Sequence, residues 1–224
     1  FAPLLSFVSN LADGLDIASV GELEMVRATG LDLSRVSFAG PGKRDVELEA
    51  AITAGVTLNL ESEAEAGRAI AIAERLGLTP SLAVRVNPDF ELKGSGMKMG
   101  GGAKPFGIDA ERVPALIGKI VDAGCNFRGL HIFTGSQALS AEAVIDMQAK
   151  VLDCADRLAR EADVPLPKLN MGGGFGIPYF PGDEPLDIHA VGQALEAQFA
   201  TLPDTLADAE LFIELGRYLV GEAG

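Results

Sequence analysis

The chain has 224 residues, of which 48% are hydrophobic, and its formal net charge is −14 with a pI near 4.5. A chain of this length buries roughly 70% of the surface that its unfolded form exposes, so one well-packed domain over residues 1–224 is expected. The negative charge repels nucleic acid backbones and anionic lipid head groups, so neither is an expected partner.

The two cysteines, Cys125 and Cys154, lack the close spacing of a thiolate metal site. We therefore expect two reduced thiols, no metal and a cytoplasmic protein. Every apolar run is shorter than the roughly 18 residues of a spanning helix, so no membrane contact is expected. The chain begins with Phe1 and ends on Gly224 without a closing element, so we expect a sequence that is cut at both ends.

Short apolar or β-branched runs alternate with amphipathic stretches of helical period, a pattern typical of a parallel sheet with crossover helices. The predicted strands, in chain order, are 15–18, 35–39, 57–60, 81–87, 128–134, 168–171 and 210–215. A closed (β/α)8 barrel needs one strand more than these seven, whereas an open doubly wound sheet does not. The pattern leaves both architectures open.

The predicted helices have recognisable end signals. They are 21–29, 44–54, 62–76, 109–123, 141–162 and 188–199. Glycines stand where a left-handed residue commonly ends a helix, at Gly30, Gly55, Gly77 and Gly124. Asp109 or Ser140 can cap the helix that follows it.

The segment 88–106 is rich in glycine and contains Lys93, Lys98 and Lys104. Its glycines are Gly94, Gly96, Gly100, Gly101 and Gly102. Such a segment could cover a phosphate or an anionic substrate, or it could be a loop without a function.

Three consecutive glycines, Gly172 to Gly174, directly follow a predicted strand. The carboxyl ends of barrel strands face the active site, and glycine lets backbone N–H groups approach a phosphate closely. A tight turn of no functional meaning explains the same run equally well.

Glu214 and Arg217 lie three residues apart at the end of the last predicted strand. A carboxylate is costly to bury without a cationic partner. Arg217 is one candidate partner, and the protonated ring nitrogen of a ligand is another. An ordinary ion pair at a barrel rim is the structural alternative.

Three other strands carry polar residues. Strand alternation places His131 and Phe133 on one face, although an isolated strand histidine is more often part of the core. Ser136, beside a glycine, is a candidate phosphate donor. Asp16 and Arg85 are charged residues within apolar strands, so each needs a partner and they could pair with each other.

Together these segments resemble the pyridoxal-phosphate (PLP) decarboxylases of the diaminopimelate, ornithine and arginine group. The matching motifs occur in order at 14–19, 21–23, 38–43, 59–62, 85–88, 106–108, 135–137, 172–174 and 214–217. Segments 94–102 and 131–137 are similar to a bacterial branch found with exosortase and exopolysaccharide systems.

The resemblance implies an α/β fold, an incomplete (β/α)8 TIM-like barrel of the alanine-racemase type without its first strand and the C-terminal β domain. It implies PLP as the cofactor, with Glu214 as the catalytic residue at the ring nitrogen. Arg217 would reach the phosphate or the substrate carboxylate. The ring would be lined by Asp16, Arg85 and Phe133. The phosphate would be held by Ser136, Gly172, Gly173, Gly174 and Gly216.

The implied activity is decarboxylation of an α-amino acid by a homodimer. A carboxylate beside the ring nitrogen keeps that nitrogen protonated, which favours this chemistry. A PLP-dependent racemase, which has an arginine at this position, and a barrel protein that binds PLP or phosphate without catalysis stay as alternatives. The family's Schiff-base lysine lies just upstream of a segment like 1–5, so the chain as given is expected to be inactive. Phe133 stands where many relatives have a histidine that stacks on the ring.

Overall fold

The computed structural model describes residues 1–90, 97–98, 102 and 104–223. The chain divides into two compact units, one of residues 1–84 and 115–128 and the other of residues 85–114 and 129–224. The single domain expected over 1–224 stays a prediction.

Ten strands lie in the described residues. They are β1 Leu15–Ile17, β2 Val36–Phe38, β3 Thr57–Leu60, β4 Ser81–Asn87, β5 Met97–Lys98, β6 Ile108–Asp109, β7 Asn126–His131, β8 Gly135–Ser136, β9 Lys168–Gly173 and β10 Glu210–Glu214. The α-helices of the same residues are α1 Ala2–Val8, α2 Val20–Arg27, α3 Asp45–Ala54, α4 Glu63–Leu76, α5 Val113–Asp122, α6 Ala141–Ala162, α7 Ile188–Phe199 and α8 Gly216–Val220.

In the first unit, β1, β2, β3 and the start of β4 run parallel in that order. Leu58, Leu60 and Leu82 are fully buried, because a parallel sheet is covered on both faces and its strands are therefore nearly continuous apolar runs. Ser19 and Ser62 cap the two helices that follow them by accepting backbone N–H groups.

In the second unit, β7, β9 and β10 run parallel, with Leu130 opposite Leu169 and Glu210 opposite Lys168. The register shifts between Phe212 and Glu214, so that Glu214 lies opposite Gly173. The end of β4 pairs with β6, and β5 is antiparallel to β8. The long helix α6 packs on α7 and β9.

All seven predicted strands and all six predicted helices are present. The bounds are confirmed to the residue for β3, β4, α6 and α7. Ser140 caps α6 as expected, whereas Asp109 precedes a short 3-10 helix without a capping hydrogen bond from its side chain, which instead accepts one from the Asn87 amide at 2.9 Å. The predicted strand 128–134 ends early, at His131.

Part of the predicted anion-binding segment lies outside the described residues. This applies to residues 91–96, 99–101 and 103, and so to Lys93, Gly94, Gly96, Gly100 and Gly101. No helix of the described residues is long and apolar enough to cross a membrane.

Candidate active site

Glu214 is the last residue of β10, and its side chain is 23% exposed. Its Oε1 accepts a hydrogen bond from Asn170 Nδ2 at 2.7 Å. His131 Nε2 lies 3.1 Å from the same oxygen. Since both of these contacts reach Oε1, Oε2 is the oxygen that they leave for a ligand.

The surroundings of Glu214 hold its pKa below the ordinary value for a glutamate. Burial acts in the opposite direction, but it is outweighed by the charge and close approach of His131, the hydrogen bond from the Asn170 amide and the charge of Arg85. The carboxyl is therefore ionised at neutral pH. Because the pKa of Glu214 is lower in the folded than in the unfolded protein, this carboxyl stabilises the fold at pH values above about 4.3, the pKa of an unfolded glutamate. The contribution is lost as the pH falls through the folded-state pKa.

His131 is the residue whose role the sequence did not reveal. It is the last residue of β7 and is 2% exposed. Neither Nδ1 nor Nε2 has a hydrogen-bond partner among the described residues, so the approach of Nε2 to Glu214 is a close polar contact rather than a hydrogen bond. His131 and Glu214 each end a strand of one parallel sheet, and the carboxyl ends of such strands share an edge. This shared position was the signal in the sequence that could have found the pair.

Arg217 does not supply the partner of Glu214 in the part of the chain that the structure describes. Its Nη1 donates to Gln137 Oε1 at 3.1 Å, and its guanidinium lies 5.7 Å from the centre of the Tyr179 ring. The ion pair between Glu214 and Arg217, one of the alternatives from the sequence, is therefore wrong. Arg217 lies in the first turn of α8, a helix that the sequence did not indicate, and that turn directs it to Gln137.

Gln137 is a second residue that the sequence did not single out. Its backbone has a φ of 63°, and its Nε2 donates to the Ile177 carbonyl at 2.5 Å. It therefore joins the segment after Ser136 to the segment after Gly174 and to Arg217. No local pattern marks a glutamine for this role.

Arg85 lies against two aromatic rings. Its guanidinium carbon is 5.0 Å from the centre of the Phe106 ring and 6.0 Å from that of Phe133. Arg85 is 6% exposed, and contact with ring faces stabilises a desolvated guanidinium. The structure thus brings Arg85 and Phe133 together, and the charge of Arg85 acts on Glu214.

The glycine run is explained by close backbone packing. A Cβ on Gly173 would overlap the carbonyl oxygen of Glu214, and a Cβ on Gly174 would overlap that of Gly135. Gly174 also has a φ of +83°, which side chains rarely adopt. The N–H of Gly172 is already donated to Asn170 Oδ1 at 2.9 Å. The run therefore lets β9 approach β10 and the Gly135–Ser136 segment directly.

Gly173→Ala is expected to lower the free energy of unfolding by about 3 kcal/mol, because the added methyl group meets backbone that cannot rotate away. Gly192→Ala is the matched control. Gly192 lies in α7 with open space around it, so its replacement is expected to raise stability by about 0.5–1 kcal/mol. Urea unfolding followed by circular dichroism measures both changes. Equal stability of the Gly173 variant and the unaltered protein would contradict the packing.

Asp16 belongs to the first unit and was also predicted as a site residue. Its Oδ1 accepts a hydrogen bond from the Ser37 hydroxyl, which in turn accepts one from the Asn59 amide at 3.0 Å. Polar side chains thus cross β1, β2 and β3 in a row. Within the described residues, no group of three or more His, Cys, Asp and Glu side chains is arranged to hold a metal ion.

The geometry is that of a ligand site built around an ionised carboxylate, and the comparisons identify the class. The family model described as the pyridoxal-binding domain of pyridoxal-dependent decarboxylases matches residues 2–221. The chain therefore belongs to the pyridoxal-dependent decarboxylase family, as its pyridoxal-binding domain.

Curated relatives agree with this assignment. The chain is 36% identical over 228 residues to diaminopimelate decarboxylase of Neisseria meningitidis, covering 99% of this chain and 53% of the relative. It is 32% identical over 213 residues to L-glutamyl-[BtrI acyl-carrier protein] decarboxylase of Niallia circulans, covering 94% and 50%. The chain thus spans about half the length of the curated relatives that it matches.

Solved structures show the fold. Diaminopimelate decarboxylase from Helicobacter pylori complexed with L-lysine matches with a TM-score of 0.82 and 25% identity, over 95% of this chain and 53% of that one. The predicted family, the α/β barrel and PLP as the cofactor are confirmed. The open doubly wound sheet is wrong.

Proposed function

We propose that the complete protein that carries this sequence decarboxylates an α-amino acid with PLP, and that this chain forms the surface that binds the cofactor. Glu214 is the observation that carries the proposal, because its ionised carboxylate ends a strand with Oε2 left for a ligand. A carboxylate facing the pyridine nitrogen keeps a proton on that nitrogen. When bound, PLP supplies an electron-poor ring that accepts the electron pair released as the carboxylate leaves.

The side chains present fit this cofactor. Phe133 offers an aromatic ring, and the guanidinium of Arg85 lies over that ring at 6.0 Å from its centre. Ser136 supplies a hydroxyl donor, and Arg217 supplies a cation for the phosphate or the substrate carboxylate. Backbone N–H groups for the phosphate are proposed at Gly173, Gly174 and Gly216. Gly172 keeps a packing role, since its N–H is engaged by Asn170.

Asp16 stays a predicted residue of the ring surroundings. Its hydrogen bond with Ser37 places it at the end of a polar row, which suits a residue that faces a polar ligand. The resemblance to the family supports this contribution.

The acid at position 214 favours decarboxylation over racemisation. An arginine facing the ring nitrogen would disfavour the protonated ring, whereas a carboxylate favours it. Protonation strengthens the ring as an electron acceptor, and loss of carbon dioxide depends on that acceptor. A racemase or a non-catalytic PLP-binding protein is therefore the weaker candidate.

The test measures carbon dioxide release by the complete protein with PLP. The panel contains basic, acidic and diamino acids, together with glutamate attached to a carrier protein, because the relatives act on diaminopimelate and on a carrier-bound glutamyl group. Release from at least one member, dependent on PLP, is expected. Racemisation without release, or bound PLP with no release from any member, would overturn the proposal.

We also propose that the complete protein is a cytoplasmic homodimer that takes a small amino-acid substrate. The family resemblance supports this assignment. Light scattering coupled to size-exclusion chromatography tests the dimer directly, and a monomeric mass would count against it.

A further inference from the structure

Two side chains from different strands converge on one oxygen of Glu214. Asn170 on β9 donates to Oε1 at 2.7 Å, and His131 at the end of β7 approaches the same oxygen to 3.1 Å. Glu214 is only partly exposed, whereas His131 is buried. A buried imidazole is costly without a polar neighbour, and Oε1 of Glu214 is the polar atom that Nε2 approaches to 3.1 Å.

The orientation of Asn170 is fixed by the backbone. Its Oδ1 accepts the Gly172 N–H at 2.9 Å, which leaves Nδ2 to face Glu214. Asn170 therefore anchors Oε1 from one side with a defined donor. A single hydrogen bond still allows the carboxylate to swing about its last torsion, so a second contact is needed to fix the plane of its two oxygens.

His131 supplies this second contact. Neither of its ring nitrogens has a hydrogen-bond partner among the described residues, and its Nε2 lies 3.1 Å from Oε1 of Glu214, within ion-pair distance. Of the side chains that lower the pKa of Glu214 against the effect of burial, His131 contributes most. The same side chain therefore acts on both the direction and the charge of the carboxylate.

We propose that His131 is a positioning residue that holds Oε1 of Glu214 so that Oε2 faces the ring nitrogen of a bound pyridoxal cofactor. This inference rests on the proposed function, because it assigns His131 through the contact of Glu214 with that nitrogen. His131 touches neither the cofactor nor the substrate in this assignment. If His131 had a purely structural role, replacing it would not change how much the ring nitrogen of a ligand contributes to binding.

The test compares two ligands that differ only at that nitrogen. Pyridoxamine 5′-phosphate binds without a covalent bond, and its 1-deaza analogue has a carbon in place of the ring nitrogen. The unaltered complete protein is expected to bind pyridoxamine phosphate about tenfold more tightly than the analogue, the effect of one charge-assisted hydrogen bond. Fluorescence titration gives both dissociation constants.

His131→Asn shortens the side chain so that it cannot reach Oε1, whereas His131→Gln keeps a donor at that distance. The tenfold preference is expected to be lost in the asparagine variant and kept in the glutamine variant, with binding of the analogue unchanged in both. Equal weakening of both ligands in His131→Asn, or an unchanged preference, would overturn the inference. His189→Asn is the control, because His189 is the other histidine and lies exposed in α7.

Nuclear magnetic resonance of the unaltered protein gives a check that needs no variant. The Nε2 signal of His131 is expected to shift when pyridoxamine phosphate binds and to stay in place when the analogue binds. Identical shifts with the two ligands would contradict the role of His131. If the unaltered protein itself shows no preference between the ligands, the proposed function fails instead, so the two failures are distinguishable.

Discussion

Glu214→Gln is expected to lower the kcat of amino-acid decarboxylation by about 10²-fold or more, the usual cost of removing a group that stabilises charge in the transition state. Glutamine keeps the shape of the side chain and the oxygen that accepts from Asn170 at 2.7 Å. It has no negative charge, so it does not hold a proton on the ring nitrogen. The KM is expected to change little, because Ser136 and Arg217 are unaltered.

The matched control is Glu210→Gln. Glu210 begins the same strand β10 and is exposed, far from the end that carries Glu214. Its variant is expected to retain the kcat of the unaltered protein. If Glu214→Gln binds PLP and keeps a kcat within about threefold of the unaltered protein, Glu214 has no role in the chemistry.

Lys43→Ala is expected to lower the free energy of unfolding by about 3–5 kcal/mol, because it leaves a carboxylate in the core of the first unit without its partner. Lys43 Nζ lies 2.9 Å from Glu65 Oε1, and the two side chains are 1% and 2% exposed. Nζ also donates to the carbonyls of Asn59, at 3.0 Å, and Gly40. The lysine therefore joins the turn before α3 to β3 and α4.

The cost of Lys43→Ala should depend on pH. Burial raises the pKa of Glu65 more than the charge of Lys43 lowers it. Without Lys43 the pKa of Glu65 rises further. A carboxyl whose pKa is raised by folding destabilises the fold at pH values above its unfolded-state pKa of about 4.3. The penalty is therefore expected to be larger at pH 8 than at pH 5, as measured by urea unfolding.

Two further variants separate the ion pair from general damage. Lys43→Met combined with Glu65→Leu removes both charges and is expected to recover most of the lost stability. Arg75→Ala breaks an exposed ion pair with Glu49 at 2.6 Å and is expected to cost only about 0.2–1 kcal/mol. A cost for Lys43→Ala as small as that of Arg75→Ala would contradict the buried pair.

Regular elements could be predicted from the sequence where the local signals agree. α6 begins at a serine cap, and β4 has an apolar centre and is buried at every position after Ser81. Both were predicted with the right bounds. α1 was missed because it buries no residue and so shows no buried face, and α8 was missed because its five residues follow a strand without a cap.

The site could be predicted only in part. Glu214 and Arg217 are close in sequence, and their spacing suggested an ion pair. The actual partners of Glu214 come from strands far away in the chain, Asn170 by 44 positions, so no local pattern reports them. The glycine run was assigned to phosphate binding, and the packing of Gly173 against β10 emerges only from the three-dimensional register.

The proposed position of Glu214 is opposite the ring nitrogen of a bound pyridoxal cofactor. It is tested most directly by the ¹⁵N chemical shift of ring-labelled pyridoxamine 5′-phosphate bound to the complete protein near pH 8. The expected signal is that of a protonated pyridine, changing to that of an unprotonated pyridine in Glu214→Gln. An unprotonated ring in the unaltered protein would contradict the proposed contact between Glu214 and the ring nitrogen.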